Sequence, residues 1–209
     1  MIIFGLLSFA SDLPTPGPAP SPVFVQPLHE GVRLGASAET LLLRGDPAFA
    51  LSGQMGAPQL SLQAGWAHAD ARLQVSRLPF GPALDAAVAW HRAQQGVGGT
   101  DVALGLGVAA LRSSETAINP GDGVAPYAEL RAAHHFEGGF SLPVSARVGT
   151  VWEPEDSQSG AFAEVSVGAA WQTESCWEVG VGVVGSTTLE TGDLRAQAGL
   201  SCRLDQLGG

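Results

Sequence analysis

The sequence predicts an all-β fold, an antiparallel up-and-down transmembrane β-barrel of about 10–12 strands, with a soluble β-sandwich or lipocalin-like barrel as the alternative. Three observations lead there. From Val32 onward, apolar and polar residues alternate with a period of two, broken at short intervals by Gly, Pro, Asp and Ser, the pattern of many antiparallel strands. Large aromatic residues keep to the apolar parity and to strand ends, where a membrane-interface belt holds them, whereas a sandwich core places its bulkiest rings mid-strand. Connections between the later segments are alternately long and short, as in barrels with turns at one rim and loops at the other.

The elements follow in order. MIIFGLLSFASD has an apolar core from Ile2 to Phe9 and a small-x-small pattern at Ser8 to Ala10, so residues 1–10 read as a secretion signal without its basic leading region; a buried first strand is the competing reading. Residues 11–22, SDLPTPGPAPSP, hold five prolines and read as a solvated spacer. The barrel is expected over 23–205, with a tail at 206–209. First-half strands are expected at 32–43, 48–57, 60–67, 71–78, 83–92, 101–112 and 124–136, with a weak one at Val23–Leu28 interrupted by Pro27. The later segments alternate strictly. Leu142, Val144, Ala146 and Val148 oppose Ser141, Ser145 and Arg147, and the same split recurs at 163–171, 177–183 and 194–203. The segments number eleven, or twelve with Val23–Leu28, and ten if short neighbours merge.

Trp66, Trp90, Phe136, Trp152 and Trp171 close their segments, while Phe49, Phe140 and Trp177 open theirs. Alternating connections put Trp152 at one rim and the other seven at the opposite rim, a lopsided girdle. The connection at 93–100 is long where a short turn is expected.

The interior parity collects Glu129, Arg131, Arg147, Glu164, Glu178 and Arg195, together with Arg33, Glu39, Arg72, Asp85 and Arg203. Mixed charges inside a barrel either pair into a packed lumen or line a narrow water-filled pore; packing is slightly favoured, though Ala103, Gly105, Gly107, Gly180 and Gly182 leave room near two strands.

Other chemistry is excluded or weak. The net charge of −10 argues against nucleic-acid binding, and no apolar run is long enough for a membrane-spanning helix. All ten basic residues are Arg, which rules out Schiff-base and phosphate-lysine chemistry. In EVGVGVVGST, Gly180, Gly182 and Gly185 match a dinucleotide fingerprint, but a turn and a last strand follow where a helix is required, so no cofactor is expected. His134 and His135 face opposite sides, and no G-x-S-x-G or H-E-x-x-H motif occurs; a barrel-borne hydrolase is a remote reading, and no enzyme is expected. Cys176 and Cys202 are candidates for a disulfide near one rim, with opposite parities, so a bridge needs Cys176 in a turn or beside a bulge; no metal site is expected. The loops 113–123, 153–160 and 187–193 are acidic, as a solvated surface or a collector of cations would be.

Over about residues 23–205 the pattern resembles the small bacterial outer-membrane β-barrel superfamily. The closing segment LRAQAGLSCRL, residues 194–204, is similar to that family's terminal assembly strand, with Leu204 and then DQLGG where the family has an aromatic end. The resemblance implies the outer membrane of a diderm bacterium as location, with a periplasmic or secreted chain as the alternative. It implies the lipid bilayer and the barrel-assembly machinery as partners, with small solutes or cations as candidate cargo. The expected role is a structural barrel or narrow passive channel; the alternative is a secreted barrel binding a small apolar ligand.

Overall fold

A computed structural model of the 209-residue chain describes residues 26–44, 58–78, 81–92, 97–111, 123–152, 159–173, 175–188 and 192–206. Ten strands form the wall: β1 (Gly31–Arg44), β2 (Gln59–Trp66), β3 (Ala69–Leu78), β4 (Gly81–His91), β5 (Thr100–Leu111), β6 (Gly123–His135), β7 (Phe140–Trp152), β8 (Ser159–Gln172), β9 (Trp177–Thr188) and β10 (Gly192–Arg203). Each pairs antiparallel with its neighbours in sequence, and β10 returns to β1 (Arg33 opposite Arg203, Ala38 opposite Ala198), closing an up-and-down barrel. Closure gives every strand two partners, so no edge is left to template further pairing. β1 starts and β10 ends at the same rim, called here the terminal rim; the opposite one is the distal rim.

Ten strands result because β1 pairs directly with β2 and because Gln26–His29 is not a strand. The expected weak strand at Val23–Leu28 is thus corrected over its described part. Pro27 removes a ladder donor, and this short segment enters the barrel mouth. The expected strand 48–57 with Phe49 lies outside the described residues, as do the signal at 1–10, the spacer at 11–22 and residues 207–209 of the tail. Of the other tail residue, Gln206 ends a 3-10 turn, Leu204–Gln206, that caps the terminal rim. EVGVGVVGST lies in β9, so its glycines belong to a strand.

Alternation fixes the two faces. Outward residues are apolar and exposed, as with Leu60 (65%), Leu104 (63%), Val148 (58%) and Val181 (57%), while inward residues are buried and mostly polar or alanine. This is the reverse of a sandwich or lipocalin-like barrel, whose apolar face points inward. The connections at 67–68, 136–139 and 173–176 are short and lie at the terminal rim. Eight residues separate β4 from β5 at that same rim, whereas at the distal rim only two separate β3 from β4 and three separate β9 from β10, so the expected long and short alternation fails around β4 and at the expected long connection 187–193.

Candidate functional site

The lumen is built from strand parity. Asp70 and Arg72 on β3, Asp85 on β4, Tyr127, Glu129 and Arg131 on β6, Arg147 on β7, Glu164 on β8 and Arg195 on β10 all turn inward and are buried. They form one continuous chain of ion pairs. Arg131 Nη2 donates to Asp70 at 2.7 Å, and Arg131 Nε lies 3.1 Å from Glu129. Arg72 Nη2 donates to Glu129 and to Asp85, each at 3.1 Å. Asp85 accepts Arg147 Nη1 at 2.9 Å; Arg147 Nη2 and Nε donate to Glu164 at 2.6 and 3.0 Å, and Arg195 Nη2 donates to Glu164 at 2.8 Å.

Among the described residues, four carboxylates and four guanidiniums therefore alternate with no net charge. That balance matters because a charge taken from water without a partner costs several kcal/mol. Arginine suits the task, since its planar fork serves two carboxylates at once. Arg147 and Glu164 are register partners on adjacent strands. The Arg72–Glu129 and Arg147–Asp85 pairs instead join strands with two others between them, so they cross the lumen as chords.

Tyr127 sits at the crossing. Its hydroxyl donates to Asp85 at 2.9 Å and accepts from Arg72 Nη2 at 3.0 Å, and the Arg147 guanidinium lies 5.0 Å from its ring centroid. The ring occupies the space over Gly107, where an added Cβ would collide with it, and the Glu129 side chain passes Gly105. The room expected beside these glycines is thus filled by side chains from β6. Toward the distal rim an apolar cluster of Ala83, Ala87, Ala109, Ala125, Tyr127 and Phe162 continues the packing.

The terminal mouth holds residues 26–29. Gln26 Nε2 donates to Ser141 Oγ at 2.7 Å and to Glu178 at 3.4 Å, the latter also 3.5 Å from Arg33. Gln63 Nε2 donates to the Gln26 carbonyl at 3.0 Å, and the Leu28 amide donates to Asp70 at 3.3 Å. His29 Nε2 lies 2.9 Å from the Asp101 oxygen that His135 Nε2 approaches at 3.1 Å, and its ring meets His91 edge-on at 4.3 Å. Leu28 is buried against Gly65, where a Cβ would strike the Leu28 carbonyl. The forces nearly cancel: burial of one leucine contributes about 2 kcal/mol and five hydrogen bonds about 1 kcal/mol each, against about 1–2 kcal/mol per residue to order four residues.

Each expected lumen residue, Glu129, Arg131, Arg147, Glu164, Glu178 and Arg195, is inward and buried; five join the ion-pair chain, and Glu178 faces the mouth with Arg33. Arg72 and Asp85 also join the chain, while the Glu39 side chain is outside the described set. Arg203 is corrected: it leaves the lumen for the terminal rim, pairing with Asp205 at 2.8 Å. Burial raises the affinity of Asp205 for its proton, but the Arg203 hydrogen bond, backbone hydrogen bonds and the Arg203 charge together outweigh this and hold the carboxyl below the usual range. Trp66, Trp90, Phe136, Phe140, Trp152, Trp171 and Trp177 are all exposed on the outer face, with Trp152 alone at the distal rim. Cys176 and Cys202 are bridged with Cα atoms 4.8 Å apart; Cys176 stands in the turn just before β9, which reconciles the opposite parities.

Sequence reading missed Asp70, Asp101 and Tyr127 as lumen members, although their parity within β3, β5 and β6 is legible. The mouth contacts of Gln26 to His29 had no sequence signal. His134 faces outward to Thr100 Oγ1 at 2.8 Å, and His135 faces inward. Among the described residues no group of three or more His, Cys, Asp and Glu is placed to hold a metal ion.

No protein-family model and no curated protein matches this sequence. Among solved structures, a chain described as a bacterial polysaccharide outer membrane secretin is similar, with 12% identity and a TM-score of 0.47, over 85% of this chain and 67% of that one.

Proposed function

We propose that this chain is an outer-membrane β-barrel whose lumen is closed by its ion-pair chain, serving as a structural barrel of the envelope and not as an open pore. One observation carries the reading, the inverted polarity of the wall. Exposed Leu, Val and Trp cover the outside while the charges lie within, an arrangement stable when the surrounding solvent is lipid and costly when it is water. The spacing supports it. Exposed Phe140 and Trp152 open and close β7, twelve residues apart; at about 3.4 Å per residue and a tilt of about 40° they are about 31 Å apart along the barrel axis, near the thickness of a hydrocarbon core. On this reading the terminal rim is periplasmic, the partners are the bilayer and the assembly machinery, and no catalytic role is involved.

A passive channel would need a water-filled path where the crossing pairs of Arg72, Glu129, Asp85 and Arg147 lie. A carrier of apolar ligands would need an apolar interior. Fractionation of the expressed chain, with gel mobility of boiled and unboiled samples, tests the barrel; recovery in the soluble fraction with no mobility shift would refute it. Planar-bilayer recording tests closure. The native chain is expected to be silent, and steady conductance altered by Arg147→Met would make it a channel.

A further inference from the structure

We infer that the terminal mouth is a recess for an extended peptide and that the chain's own residues Gln26–His29 occupy it as an exchangeable plug. The contacts are those of peptide recognition. Gln63 captures a backbone carbonyl, Asp70 captures the next free amide across Pro27, a pocket beside Gly65 buries one leucine, and Asp101 takes the imidazole. The three hydrogen bonds are made by side chains of the wall, and Gln26–His29 is no strand of the barrel. The segment is therefore held independently of the ladder that closes the barrel, and local opening can release it while the ten strands stay paired. The fitting partner is an extended segment carrying an amide side chain, proline, a branched apolar residue and an imidazole. The tethered copy outcompetes such a partner through its high effective concentration. This inference rests on the mouth contacts alone and does not require the membrane reading.

The test uses the full chain in detergent. Hydrogen exchange on the native protein is expected to show the Leu28 and His29 amides exchanging at least tenfold faster than β3 and β10 amides; exchange only together with those strands would overturn the inference, since the segment would then be integral to the barrel. In Leu28→Glu the recess is expected to empty while heat-dependent gel mobility and the Cys176–Cys202 bridge persist. A fluorescent synthetic peptide, Gln-Pro-Leu-His-Glu, is expected to bind Leu28→Glu saturably and the native chain at least tenfold more weakly. It is expected not to bind the double variant Leu28→Glu with Gly65→Ala, whose added Cβ fills the recess. No binding to a folded Leu28→Glu, equal binding to the double variant, or loss of folding in Leu28→Glu would each overturn it.

Discussion

Arg147→Met is the sharpest perturbation of the lumen. Among the described residues the guanidinium hydrogen-bonds to Asp85 at 2.9 Å and twice to Glu164 at 2.6 and 3.0 Å, and it lies 5.0 Å from the Tyr127 ring centroid. Methionine keeps much of the volume and removes the charge. Asp85 retains Arg72 and Tyr127, and Glu164 retains Arg195, so neither carboxylate is wholly stripped. The buried chain nevertheless goes from balanced to one excess negative charge. Removing one member of a buried ion pair costs about 3–5 kcal/mol, and the surviving partners put the expected loss near the lower end, about 3 kcal/mol. Urea unfolding of the barrel in detergent, followed by tryptophan fluorescence and gel mobility, measures it, with the dependence on urea expected to keep its slope. Adding Glu164→Gln removes an acid that Arg147 served, so the double variant is expected to lose less than the sum of the two single losses by about 1 kcal/mol. A loss from Arg147→Met within about 0.5 kcal/mol of zero, the range of an ordinary surface change, would refute the packed lumen and imply a hydrated interior.

Other outcomes follow from the same geometry. Val181→Arg, mid-strand on the outer face, is expected to cost about 2–4 kcal/mol for folding into lipid bilayers, against about 0–1 kcal/mol for Thr187→Arg near the distal rim; equal costs would count against a membrane around the belt. Replacing Cys176 and Cys202 by Ser opens a link of sequence separation 26 and is expected to cost about 3.5 kcal/mol by chain entropy, read as a lower urea midpoint, and an unchanged midpoint would contradict it. Tyr127→Phe deletes the hydroxyl between Asp85 and Arg72 and is expected to cost about 1–3 kcal/mol in the same titration. Gly107→Ala drives a methyl into the Tyr127 ring, with an expected loss of about 1–3 kcal/mol; a stabilised variant would show that the ring moves freely.

The sequence by itself determined the wall. A period of two is a property of the strand, so each segment from 140 to 203 declares its inward and outward faces without reference to any neighbour, and the rings of Trp152, Trp171 and Trp177 mark where strands end. The inward position of Glu129, Arg131, Arg147, Glu164, Glu178 and Arg195 follows from that local rule. Contacts across the barrel do not. Register partners such as Arg147 and Glu164 depend on loop lengths, and the chords from Arg72 to Glu129 and from Arg147 to Asp85 depend on strand count and closure, which no local period encodes. Strand count itself turned on the direct pairing of β1 with β2 and on the end of the expected Val23–Leu28 segment, whose Leu28 reads as strand-forming in sequence and is instead buried at the mouth beside Gly65. The Cys176–Cys202 bridge was decided at the same level. Opposite parities left it open, and the placement of Cys176 one residue outside β9 closed it. Local alternation chooses faces because side-chain direction is fixed by the backbone, whereas pairing across a lumen is a property of the closed ring and is settled only when all ten strands are in place.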